Sequence, residues 1–180
     1  MRNALIVMAF LGLGVGDAWS SSILMESNEP VRWNSNSVSL QINEAGSDDL
    51  SENTVTQIIA DAMTKWNQIA CSSIQIVEGG TTAERETVLT SGEIDGENRL
   101  AWIEDSTWPF GQFVLAMTMP VWGEDGAIVE ADIAFNGANI TWDTSFENDA
   151  QDLESIITHE LGHFIGLQHI LGGESLADPP

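Results

Sequence analysis

The chain contains three histidines, and all of them fall inside one run, His159-Glu160-Leu161-Gly162-His163-Phe164-Ile165-Gly166-Leu167-Gln168-His169. This run constrains the fold more than any other feature. His159 and His163 are one helical turn apart, so a helix places both imidazoles on one face. Leu153, Ile157, Leu161 and Phe164 recur at helical spacing on another face, predicting a helix from near Gln151 whose apolar side is buried. Gly166 is a stop signal, because a residue without Cβ takes a left-handed conformation and turns the chain back. His169 then approaches the first two from outside the helix. Three imidazoles leave one position of a tetrahedral zinc ion open, as a catalytic site requires. Glu160, next to the first ligand, is the candidate general base for a zinc-activated water. The competing reading, surface histidines complementing a helix dipole, does not explain why every histidine falls on a ligand position.

The remainder predicts a mixed sheet with helices. Val38 to Ile42 alternates apolar and polar residues, the strand period. Ser51 is a candidate N-cap for an amphipathic helix over 52–70, in which Val55, Ile58, Ile59, Ala62, Trp66 and Ile69 recur at helical spacing. Further strands are predicted at Ser73 to Val77, ending at Gly79-Gly80, at Arg99 to Ile103, at Phe113 to Val121 and at Ile128 to Phe135. Pro120 marks the strand that contains it as edge-like, since proline cannot donate to a central ladder. Residues 81–98 and 142–149 are predicted loops.

Five Lys and Arg oppose 28 Asp and Glu, a formal net charge of −23. That surface repels nucleic acid and anionic membranes, and no stable membrane association is expected. It suits a soluble exported protein and allows calcium as a second cation. Arg2, the uncharged apolar stretch Ala4 to Gly16, and Ala18-Trp19-Ser20 together predict a signal peptide over 1–20. Residues 21–30 then form a short leader and 31–180 one domain, secreted and monomeric. Cys71 is the single cysteine, cannot pair within the chain, and is expected to be buried and structural.

The run H-E-x-x-H-x-x-G-x-x-H is the metzincin signature, and residues 31–177 resemble a bacterial matrixin-type catalytic domain. Beyond the histidines, the resemblance rests on the first strand and long helix, Val114-Leu115-Ala116-Met117, Asp132-Ile133-Ala134-Phe135-Asn136, and Trp142. It implies an α/β (α+β) metzincin-like domain with a twisted, mixed five-stranded sheet, a long N-terminal helix and an active-site helix. It also implies a zinc endopeptidase with His159, His163 and His169 as ligands and Glu160 as base. Leu115 and Ala116 would contact an extended protein or peptide substrate through their backbones. The alternative is a catalytically impaired, secreted zinc-binding or interaction module of the same fold.

The sequence also departs from the family. Met117 and Ala134 stand where relatives often carry histidines for a structural zinc, so one zinc ion is expected. Asn136 replaces a common acidic calcium ligand. No Pro-Arg-Cys-Gly-type segment occurs, which argues against thiolate latency. Metzincins place a methionine beneath the zinc after the third His; here Glu174-Ser175-Leu176 resembles the approach to that turn, but Ala177 falls where the methionine would. The expectation is therefore either a C-terminally truncated domain whose lower subdomain is missing or incomplete, which is the favoured reading, or a domain with a degenerate turn.

Overall fold

The structure, a computed structural model, describes residues 5–6, 21–145 and 150–169. The predicted signal peptide, apart from Leu5–Ile6, and the region around Ala177 lie outside the described residues.

The five longer strands are β1 (Ser37–Asn43), β2 (Gln75–Thr82), β3 (Arg99–Ile103), β4 (Ala116–Trp122) and β5 (Ala127–Asn136). They belong to a seven-stranded sheet in which they run in the order β2-β1-β3-β5-β4. Neighbouring pairs among these five are parallel except β4 with β5, which are antiparallel and joined by the short turn at Gly123–Gly126. The two remaining strands are short. Arg32–Trp33 runs parallel to the start of β5, and Leu5–Ile6 lies antiparallel to the end of β4 at Val121 and Trp122.

Helix α1 (Glu52–Asn67) starts where Ser51 accepts from the Thr54 amide, and it buries Val55, Ile59, Ala62 and Met63. It ends at Asn67 rather than residue 70, because the Asn67 side chain donates to the Ile76 carbonyl and accepts from the Ile76 amide, both at 2.8 Å. That latch turns the chain into β2. The connection carries Cys71, which is exposed. The expectation of a buried thiol is thus corrected: the helix has ended and residues 68–71 are all exposed, so the thiol has no buried face to join.

The strand predicted to stop at Gly79-Gly80 continues to Thr82, with a register irregularity opposite Leu40 and Ile42. The 81–98 loop contains a short helix, α2 (Val88–Ser91). The predicted strand from Phe113 begins at Ala116, because the Val114 amide closes a turn on the Gly111 carbonyl at 2.9 Å and leaves Phe113 exposed.

Helix α3 (Leu153–Phe164) is capped by Asp152, which accepts from the Ser155 amide at 2.9 Å. Its Leu153, Ile157, Leu161 and Phe164 are fully buried, as the periodicity predicts. α3 packs on α1 and on β4. The Trp66 indole donates to the Thr158 carbonyl at 2.8 Å, and Lys65 pairs with Glu154. Gly162 makes the close helix contact possible, since a Cβ there would lie 3.0 Å from the Trp66 ring. Trp102 stacks on Phe135 at 4.8 Å, and Trp142 meets Phe135 edge-on, extending the core to the sheet's far end. The result is the predicted α/β architecture: a mostly parallel sheet with α1 and α3 packed together.

Candidate metal centre

The helix delivers His159 and His163 from consecutive turns. Gly166, at φ +100°, ends it, and the chain returns as the short strand Leu167–His169. A Cβ on Gly166 would lie 2.8 Å from the Val31 carbonyl oxygen, so both the backbone angle and the space demand glycine. The returning strand pairs antiparallel with Ser21–Ile23, His169 opposite Ser21, and the Leu24 amide donates to the Gly166 carbonyl at 2.8 Å. Trp33 donates to the Phe164 carbonyl at 2.8 Å, satisfying one of the acceptors left open at the helix end. Residues 21–33 therefore hold the third histidine from outside, a role that no local pattern in the sequence signals.

The three Nε2 atoms converge. They are separated by 3.0 Å (His159–His163), 3.2 Å (His163–His169) and 2.8 Å (His159–His169). Ligands bound at about 2.0–2.1 Å around a tetrahedral zinc ion stand roughly 3.3 Å apart, so the set is close to the required size. His163 Nδ1 lies 2.8 Å from the Leu167 carbonyl. A carbonyl only accepts, so Nδ1 carries the proton and Nε2 keeps its lone pair for a cation. Burial depresses the pKa of His159 to about 3, with the neighbouring His163 and His169 adding to the effect, and burial also lowers that of His163. Neutral imidazoles are the form a metal binds. Among the described residues, this is the single cluster of three or more His, Cys, Asp or Glu side chains arranged to hold a metal ion.

Glu160 is fully buried. Its Oε2 accepts from the Thr118 hydroxyl of β4 at 2.5 Å, while Oε1 has no hydrogen-bond partner among the described residues. Burial raises its pKa to about 7, the Thr118 bond opposing the shift. A buried carboxylate oxygen without a partner is costly and fits a site completed by a metal and its water. Sequence reasoning misses Thr118, because one threonine in an apolar strand carries no distance information.

Leu115 and Ala116 lie where the chain enters β4. The Leu115 carbonyl accepts from the Asn136 amide at 2.9 Å, and Ala116 stands opposite Phe135. In an antiparallel ladder this alternation turns the Ala116 amide and carbonyl away from β5. Met117 and Ala134, opposite each other, pack with Ile103 and Trp108 in an apolar cluster.

A mixed sheet backed by a helix that presents two histidines, with a third returning beyond a glycine, defines the zinc-peptidase class of site. The matrixin family model matches residues 32–179, and the chain belongs to the matrixin family of zinc metallopeptidases. No curated protein matches the chain.

Proposed function

We propose that this protein is a zinc-dependent endopeptidase in which His159, His163 and His169 hold one catalytic zinc ion and Glu160 is the general base. The observation that carries this reading is the convergence of three imidazole nitrogens within 3.2 Å of one another, beside a buried, half-satisfied carboxylate on the same helix as two of them. When bound, zinc supplies Lewis acidity that acidifies water and polarises the scissile carbonyl. Glu160 accepts the proton of the attacking water and returns it to the leaving amine. An extended peptide adds to the outer edge of β4 by main-chain hydrogen bonds. Ala116 offers its backbone, whereas the main-chain contact expected of Leu115 is withdrawn, because its carbonyl already accepts from the Asn136 amide of β5.

The apolar packing of Met117 and Ala134 supports a single zinc ion. Calcium binding fits the acidic surface, but Asn136 Oδ1 is already used by the amide and side chain of Asn139. Secretion, as a monomer and without nucleic-acid partners, fits the N-terminal sequence and the charge. Among the described residues no helix is long and apolar enough to cross a membrane.

The test is Glu160→Gln. It should lower kcat on a quenched peptide by about 10²–10⁴-fold, while elemental analysis still finds one zinc per chain. Full turnover in the variant refutes the base assignment. Two zinc ions refute the single-site reading. Absence of chelator-sensitive cleavage by the parent favours the non-catalytic module.

A further inference from the structure

Every residue of β4 is buried, and Thr118 is its one polar side chain. Alternation along the strand sends Met117 and Met119 into two apolar clusters on one face, and Ala116 and Thr118 to the face that meets α3. A buried hydroxyl needs a partner, and this one has two acceptors within reach, Glu160 Oε2 at 2.5 Å and the Glu160 main-chain carbonyl at 3.2 Å. The hydroxyl has a single proton. The side-chain oxygen, the nearer of the two, is the one that takes it.

We propose that Thr118 is a positioning residue for Glu160. Its hydroxyl pins Oε2 against β4, fixing the carboxylate rotamer and leaving Oε1 as the oxygen that faces the reaction. This inference rests on the assignment of Glu160 as base. Free rotation of a glutamate side chain would spread the carboxylate over several orientations, of which few suit proton transfer. A hydroxyl donated from a strand whose residues are all buried removes that freedom more firmly than a loop residue would. The other side chains of β4 carry no comparable donor.

Thr118→Ser and Thr118→Ala both remove the methyl group and differ only in the hydroxyl, so their comparison separates packing from hydrogen bonding. The zinc-loaded full chain carrying Thr118→Ser should keep kcat within about threefold of the parent, and the alanine variant should lose about 10- to 100-fold in kcat with little change in KM. A second readout needs neither metal nor turnover. In metal-free protein labelled at the glutamate carboxyl carbons, the Glu160 signal is identified by its absence from Glu160→Gln. That signal should keep its position in Thr118→Ser and move in Thr118→Ala. Thr118→Val, with the parent shape and no donor, should match the alanine variant in both readouts. Equal behaviour of the serine and alanine variants, or normal kcat in the valine variant, overturns the proposal. An active Glu160→Gln sinks the base assignment instead, and it leaves the carbon signals to report the contact on their own.

Discussion

Two carboxylates in this molecule share nearly every property that burial confers. Asp132 in β5 and Glu160 in α3 are both fully buried, and burial pushes both pKa values up to about 7. They differ in what surrounds their oxygens. Asp132 Oδ2 accepts from the Val88 amide and Oδ1 from the Arg99 amide, each at 2.7 Å, so both oxygens are engaged by backbone. Glu160 has one oxygen held by Thr118 and the other without a partner among the described residues. A perturbed pKa thus marks both groups, although only one sits beside a metal-binding cluster. Hydrogen-bond satisfaction separates them: Asp132 ties α2 and β3 to β5, and Glu160 is left open for chemistry.

The largest effect expected from this contrast is a crossed one. Asp132→Ala strands two buried amides and should cost about 2–5 kcal/mol of stability, read as the urea midpoint, with kcat per folded molecule close to the parent. Glu160→Gln should do the reverse, lowering kcat by about 10²–10⁴-fold while leaving the midpoint unchanged or higher, because a neutral amide replaces a buried ionisable group and still accepts from Thr118. A catalytic loss in Asp132→Ala that exceeds its loss of folded protein would break the comparison.

Titration sharpens it. The Asp132 pKa is raised from an ordinary 3.8 to about 7, so between those values the folded state binds more protons than the unfolded chain. Its contribution to stability is therefore fully present below about pH 4 and is lost as pH rises through 7. With chelator present throughout to keep histidine–metal linkage out, the destabilisation caused by Asp132→Ala should be larger at pH 5 than at pH 8. An equal cost at both pH values would mean that the carboxyl does not titrate in this window.

The contrast also explains what is legible in the sequence. The metal cluster is local: one helical turn and one glycine bring the histidines together, so spacing alone reveals it. Helices α1 and α3 and the five strands follow from sequence pattern, with errors at ends set by side chains such as Asn67, whose partner lies across a turn, while the four-residue α2 is too short to show a period. Asp132, Thr118 and the outer strand Ser21–Ile23 act across 33, 42 and 145 positions respectively. Nothing in composition or period encodes such pairings. The exposure of Cys71 escapes the sequence for the same reason, since burial depends on where the neighbouring helix stops.

Gly166 tests the local half of that argument. Gly166→Ala places a Cβ 2.8 Å from the Val31 oxygen at a φ that other residues rarely adopt. The expected cost is about 1–3 kcal/mol, together with weaker zinc binding, because His169 is three residues on. An unchanged zinc affinity would show that Ser21–Ile23 alone fixes the third ligand.

The smallest effect concerns Asn136, a third buried polar residue, four positions beyond Asp132 on the same strand. Its side-chain amide donates to the Val114 carbonyl at 2.8 Å and the Gln112 carbonyl at 3.3 Å, holding the approach to the rim of β4. A carboxylate cannot donate there. Asn136→Asp should therefore lower stability by about 1–2 kcal/mol and raise KM a few fold with little change in kcat, because the rim moves while Glu160 and the histidines stay in place. Addition of calcium discriminates between two roles for this position. If the loss persists, Asn136 is an organiser of the rim in its own right. Full recovery would instead mean that the surrounding oxygens already form a cation site, which a single carboxylate completes.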